Sequence, residues 1–492
     1  MQRLNNNVII NRKVRPTKIL QFGGGNFLRA FVDWMVQVLN EETDFNAGVA
    51  MVKPTEHGDY HTLKEQDGLF TVILDGINNG MPVQEKRLVS CIDQIINPYT
   101  EWEQYLELAQ MPSLRFIISN TTEAGIKFNP KDGSKDAPPM EFPAKLTLFL
   151  YHRFRYFNGN PDKGCIILPC ELIVNNGEAL QRTILQYAEH WRLESEFSIW
   201  IQTANHFCSS LVDRIVSGYP VDRAQALEAE LGYSDPAMVA GEHYHSWVIQ
   251  APSLVQKELP FDRTKLNVQF VDDLGPYREM KVRVLNGAHT AMVPVAYLAG
   301  MRLVDDAMAH PEINRFVSEL LLDETVKTLD FPQEIKERFV ADVLDRFKNP
   351  LLKHQLMSIA LNSTSKFVAR LLPTLKDYLA LEGKLPKKIV MGLAALLLFY
   401  KGEFNGEKIE LKDNAEVLSF FREIWEQFDL GKHSLKETVD RILESSAIWG
   451  ENLNDISGIS EMIVIFISSI QEHGVLDSMK YGEEIKKKKL IS

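Results

Sequence analysis

No apolar run in the 492 residues reaches bilayer-crossing length, and the opening MQRLNNNVIINRKVRPTK lacks the continuous apolar core of a secretory signal. A soluble, cytoplasmic chain without a membrane partner is therefore expected. Cysteine is scarce: Cys91, Cys165, Cys170 and Cys208 form no CxxC pair. They read as small buried residues in a reduced compartment and not as a disulfide framework. The 12 histidines include no HExxH arrangement, so no metal site is expected. Basic residues are in deficit, 54 against 66 acidic, for a net charge of -12. That balance excludes a general nucleic-acid binder, which needs a basic surface. The basic run Lys486-Lys487-Lys488-Lys489 reads as the solvated end of a last helix. Internal repeats and low-complexity tracts are absent.

What is present is ample core material: 45% of residues are hydrophobic and 24% charged, in a chain too long for one ordinary core. The texture changes near residue 275. Before it, short apolar runs at 18–22, 49–52, 69–74, 114–119, 164–168 and 197–203 read as buried strands, with helical patterns between several of them. The segment 129–143, rich in Pro, Gly, Asp and Lys, reads as an exposed loop. Beyond 275, helical periodicity dominates at 280–299, 312–321, 333–347, 353–371, 387–400, 414–428 and 435–445. The expected architecture is an α/β domain over 1–275, with a mostly parallel sheet, followed by an all-α domain over 276–492.

Four segments could carry chemistry. The first strand runs into Gly23-Gly24-Gly25 and then an amphipathic helix, the opening of a βαβ unit. Residues without β-carbons let backbone N–H groups approach a pyrophosphate at a helix N-terminus. The third glycine of the usual fingerprint is replaced by Leu28, and a tight structural turn describes the same residues nearly as well. The second strand ends in Lys53 where an acid would bind ribose hydroxyls; it suits a 2′-phosphate or plain exposure, which leaves NAD or NADP open. The second segment is Lys281-Val282-Arg283-Val284-Leu285-Asn286-Gly287-Ala288-His289. Asn286 and His289 share a helical face, and Lys281 reaches it on a long stem. A lysine that moves the alcohol proton, an amide that binds the developing oxyanion and an imidazole that orients substrate suit carbonyl reduction. On spacing alone a surface lysine and a helix-start asparagine is the simpler reading. The third, 168–177, follows a strand and ends in Asn175-Asn176-Gly177, also a plain turn signal. The fourth, 205–215, contains the Asp213-Arg214 pair, which is usually structural.

These segments, in this order, resemble the long-chain mannitol dehydrogenase family of polyol and sugar-acid dehydrogenases. The signature at Val212-Asp213-Arg214-Ile215 matches, with Asn205 standing where the family usually has an apolar residue. Lys281, Asn286 and His289 match the family's Lys-x4-Asn-x2-His segment. The resemblance implies a Rossmann-like N-terminal domain, a helical C-terminal domain, NAD-dependent hydride transfer to a small sugar-derived substrate, and Lys281 as acid/base without a metal. It implies oxyanion amides at Asn286 and Asn176. It places the nucleotide over Phe22, Gly23, Gly24, Gly25 and Asn26, with Thr122 and Glu123 near the nicotinamide; Lys53 is the cofactor contact that the second strand itself offers. Asp213 is carried over with the substrate. Gln21 to Phe31, Leu168 to Ile173 and Ser358 to Phe367 are most similar to the sugar-acid branch. Glu171-Leu172 stands where polyol-acting members usually carry Asp-Asn. Lys366 matches a substrate-contacting lysine, and Arg370 lies one turn further on the same face. A sugar-acid carboxylate is the group such cations would hold.

Overall fold

The computed structural model describes residues 1–9, 12–78, 80–121, 125–351 and 353–479. The chain divides into two compact units, 1–76 with 82–274 and 77–81 with 275–492. Residues 77, 78, 80 and 81 thus group with the second unit although they lie early in the sequence.

The first unit is built on six parallel strands in the order Ile92–Ile96, Gly48–Val52, Thr17–Phe22, Phe116–Ser119, Ile166–Pro169, His206–Phe207. The chain starts in the middle, builds one side, then returns to build the other, so the order reverses beside Thr17–Phe22. This is the doubly wound dinucleotide-binding order, and ligands of such sheets bind at the carboxyl ends beside the reversal. The strands are nearly continuous apolar runs because both faces are covered. Alternate residues feed separate cores. Ile19, Val49, Met51, Phe116 and Ile118 pack on one face, and Leu20, Ala50, Val52, Ile117 and Ile167 on the other.

Two of the expected strands change here. The run at 197–203 is not a strand but helix Ser195–Ala204. Its β-prone composition misled, whereas the buried residues Phe197, Trp200, Ile201 and Ala204 follow helical spacing. The strand Phe70–Asn78 joins a separate four-stranded sheet with Met81–Val89, Val239–Glu242 and Val216–Gly218. A third sheet holds Ser209–Asp213, Ser246–Gln250 and Val268–Val271. The segment before helix Phe142–Tyr156 is the largely exposed loop expected, with one buried anchor. Asp132 is buried and accepts the N–H groups of Met140 and Glu141 and the Tyr187 hydroxyl.

The second unit is helical, with one two-residue hairpin at Glu403–Phe404 and Glu407–Lys408 among the described residues. Its centre is Lys387–Phe399, buried at every residue from Ile389 onward, as an all-round apolar helix must be. A β-carbon on Gly392 would lie 3.2 Å from Ala291 Cβ, so glycine sets a close crossing with helix Gly287–Leu298. The expected helix 353–371 is interrupted. Asn362, at φ 51, separates Leu356–Ile359 from Ser363–Arg370.

One core feature gave no sequence signal. Asp33 ends a π turn, Arg29–Asp33, that follows the glycine turn. It is fully buried, and Oδ2 accepts from Gln21 Nε2 at 3.2 Å. Oδ1 has no hydrogen-bond partner among the described residues. Burial pushes its pKa from 3.8 up to about 7. A carboxyl with a raised folded pKa supports the fold in its neutral form. That support is complete below the unfolded value and is lost as pH rises through about 7, a loss of roughly 4 kcal/mol at about 1.4 kcal/mol per pH unit. Asp33→Asn should therefore gain more thermal stability over the parent at pH 8 than at pH 5. Equal shifts in unfolding midpoint at the two pH values would show that Asp33 is already ionised in the fold.

Candidate active site

In the first unit the carboxyl end of Thr17–Phe22 meets its requirement for glycine at two positions. Gly23 has φ +117, and a β-carbon on it would lie 3.0 Å from the Asn120 carbonyl. A β-carbon on Gly24 would collide with Met51 Sδ and Tyr60 Cζ, at 2.4 and 2.9 Å. Gly25 differs, because nothing lies within 4 Å of its missing β-carbon. It is the N-cap of the helix that follows, with no side-chain cap. An open, uncapped helix start at the reversal of a parallel sheet fits a pyrophosphate. Asn26 is exposed beside it and accepts from Arg29 at 2.7 Å. Phe22 is fully buried against Phe142, with ring centroids 4.8 Å apart, so its side chain serves the core. Lys53 is half-buried just after Gly48–Val52, its N–H on the Ile96 carbonyl at 3.1 Å. Thr122 and Glu123 lie outside the described residues.

The segment after Ile166–Pro169 ties the neighbouring strand ends together. Buried Glu171 accepts from Ser119 Oγ at 3.0 Å, Thr121 N–H at 3.0 Å and Thr121 Oγ1 at 3.2 Å. Burial raises its pKa while these donors pull it back. Asn120 Nδ2 donates to the Cys170 carbonyl at 2.7 Å. Asn176 corrects an expectation. It is 1% exposed, and the carbonyls of Pro169, Glu171 and Ser210 each stand 3.0 Å from Nδ2. Its oxygen accepts the N–H groups of Gly177 and Ser210. An amide has two N–H bonds, and three buried carbonyls already compete for them, which leaves none for an oxyanion. Gly177 is needed because its β-carbon would lie 2.6 Å from Ser209 N, so helix Asn176–His190 starts directly against that strand.

Asp213 ends strand Ser209–Asp213, paired with Ser246. Its neighbour Arg214 is a structural bolt. It donates to the Tyr244 and His243 carbonyls at 3.0 and 3.1 Å and lies 4.3 Å over the Trp34 ring. Asn205 joins a helix end to a strand start, bonding the Trp200 carbonyl and the Cys165 N–H. All four cysteines are buried and free; burial raises the pKa of each thiol, which suits inert packing and not nucleophilic use.

In the second unit Lys281 and Asn286 are the first and last residues of a π turn inserted between helices Gly275–Met280 and Gly287–Leu298. Five residues of α-helix would leave their side chains about 140° apart. A turn closed by i→i+5 bonds brings them onto nearly the same face. Lys281 therefore reaches the face of Asn286 through the helix itself, not only through its long stem. Arg283, on the same turn, is held by Glu279 and Asp377 at 2.6 Å each. His289 is 8% exposed, with its ring 4.1 Å from that of Phe347 and 5.6 Å, edge-on, from that of His354. Burial lowers the pKa of His354.

Helix Ser363–Arg370 packs beside this turn, where a β-carbon on Gly287 would meet Leu371 at 3.4 Å and the Arg370 carbonyl at 3.6 Å. Lys366 Nζ donates to the Ile359 carbonyl at 2.8 Å, and Arg370 Nη1 to Thr290 Oγ1 at 3.3 Å. Burial lowers the pKa of both, and Arg370 lowers that of Lys366 further. Neither forms an ion pair among the described residues; the Asp413 carboxylate, which accepts from Thr364 Oγ1 at 3.2 Å on the same helix, acts on Lys366 only from beyond contact. Thr290 and Phe347 were not singled out by sequence reasoning. Thr290, four residues past Asn286, was accessible from helical spacing; Phe347 was not.

A family model described as the mannitol dehydrogenase Rossmann domain matches residues 17–263, and one described as the mannitol dehydrogenase C-terminal domain matches 273–471. The altronate oxidoreductase of Bacillus subtilis (strain 168) is 48% identical over 475 residues, 96% of this chain and 97% of that protein. The altronate oxidoreductase of Yersinia enterocolitica is 45% identical over 476 residues, 96% and 98% of the two chains. Among solved structures, D-sorbitol dehydrogenase in substrate-free form aligns with TM-score 0.77 at 21% identity, covering 97% of this chain and 100% of that one. Mannitol 2-dehydrogenase of Pseudomonas fluorescens, solved with NAD and D-mannitol, aligns with TM-score 0.67 at 21% identity, covering 98% and 100%. These two share the fold.

The structural role of Asn176 can be measured. Asn176→Ala strands several buried backbone groups and should cost roughly 3 kcal/mol, seen as a fall of several degrees in the unfolding midpoint. An unchanged midpoint with collapsed turnover would reinstate Asn176 as an oxyanion donor.

Proposed function

The chain belongs to the mannitol dehydrogenase family, and from that premise we propose that it catalyses the reversible NADH-dependent reduction of D-tagaturonate to D-altronate, a step of hexuronate breakdown. The observation that carries this reading is the likeness to altronate oxidoreductases over 96% of the chain. Lys366 and Arg370 support it, because both are partly desolvated and their direct hydrogen-bond acceptors are neutral oxygens, which suits them to a sugar-acid carboxylate.

Residues Gly23 to Asn26 would hold the pyrophosphate, with Lys53, Thr122 and Glu123 further along the nucleotide. When bound, the nicotinamide supplies or accepts the hydride. The remaining work falls to side chains of the second unit. Lys281 Nζ gives a proton to the substrate oxygen in reduction and takes it back in oxidation. Asn286 Nδ2 donates to the same oxygen as charge develops on it. His289, fixed by Phe347 and His354, orients a neighbouring hydroxyl. Lys366 and Arg370 hold the carboxylate, Arg370 offering a planar fork and Lys366 a point charge. Asp213 is carried over with the substrate on the family motif.

NADH oxidation should be fast with D-tagaturonate and slower with D-fructuronate or fructose, and kcat/KM should favour NADH over NADPH. Preference for another ketose would reassign the substrate; preference for NADPH would make Lys53 a phosphate ligand. Lys281→Ala should lower kcat by about a hundredfold to ten-thousandfold while NADH binding, followed by fluorescence, is retained. Near-normal turnover in that variant would remove Lys281 from the chemistry.

A further inference from the structure

Thr290 lies one helical turn beyond Asn286 and is 6% exposed. Its hydroxyl donates to the Asn286 carbonyl at 2.9 Å and accepts from Arg370 Nη1 at 3.3 Å. The single hydroxyl hydrogen is thus committed to Asn286, and a lone pair is left for the guanidinium. The two helices also approach at this level, with Gly287 facing the Arg370 carbonyl. The Thr290 hydroxyl is the hydrogen-bond acceptor that the described residues give the Arg370 side chain. Remove it, and a long side chain with several rotatable bonds loses its fixed direction.

We infer that Thr290 is a positioning residue that fastens the Arg370 guanidinium to the π turn carrying Lys281 and Asn286, so that the carboxylate clamp and the groups that handle the reacting oxygen form one rigid body. The inference rests on the reading that Arg370 holds the substrate carboxylate. Thr290 touches neither substrate nor cofactor in this arrangement. It sets the distance between the two ends of the substrate, and hence favours a sugar acid whose carboxylate and keto carbon have that spacing.

The test is a mutant cycle on the full chain, with KM and kcat for D-tagaturonate and the unfolding midpoint as readouts. Thr290→Val keeps the shape and removes the hydroxyl. It should raise KM about tenfold, as loss of a hydrogen bond to a charged group does, with kcat within about twofold of the parent. Thr290→Ser restores the hydroxyl and should return KM to within about threefold of the parent. Arg370→Met should raise KM at least as much as Thr290→Val, and Thr290→Val should add nothing further in that background. A full additional effect of Thr290→Val on Arg370→Met would overturn the inference, as would failure of Thr290→Ser to rescue. So would a Thr290→Val that leaves KM unchanged while Arg370→Met raises it. If Arg370→Met itself leaves KM unchanged, the assignment of the carboxylate to Arg370 falls instead.

Discussion

A π turn holds one residue more than the helix on either side needs, and its backbone bonds are poorer than those of a regular turn. It persists only where surrounding packing determines it. In the second unit that packing is dense. Val284, Leu285 and Ala288 are buried, Arg283 is clamped between Glu279 and Asp377, and helix Ser363–Arg370 closes over Gly287. Regularising the turn would rotate Lys281 away from Asn286 and His289 and disperse the group. The proposed catalytic group thus depends on this local departure from α-helical geometry and on the contacts that maintain it.

The first unit meets a different constraint. A buried parallel sheet ends in backbone groups that have run out of ladder partners. Near the reversal of strand order, side chains supply the missing bonds. Glu171 serves Thr121, Asn120 serves Cys170, and Asn176 bridges Pro169, Glu171, Ser210 and Gly177. This network holds the rim firmly and leaves Gly25 and the first helical turn open. Polar residues that look catalytic in a motif are here spent on the frame, while the proposed nucleotide end is made from backbone.

Two further π turns carry buried carboxyls outside the proposed catalytic group. Asp33 closes one behind the glycine turn. Glu324 lies in the other, Leu320–Thr325, and accepts the N–H groups of Lys388 and Ile389 at the start of the central helix. Burial raises the pKa of both to about 7. A carboxylate at a helix N-terminus is favoured by the dipole, yet desolvation at Glu324 outweighs that pull.

The sequence by itself determined the two-part architecture, the glycine turn after the first strand and the residue types at 281, 286, 289 and 366. Apolar period and the absence of β-carbons are local properties that any packing must respect. Tertiary structure alone decided several other matters. Residues 197–203 become a helix because Phe197, Trp200, Ile201 and Ala204 find one face to bury, against their strand-like composition. The strand Phe70–Asn78 leaves the parallel sheet for another, a choice made by distant partners at 216–242. Asn176 is consumed by three carbonyls that arrive from separate segments. Lys281 and Asn286 share a face through a turn whose extra residue has no signature in composition or period. Each of these rests on contacts between residues far apart in sequence, and such contacts exist only once the chain has folded.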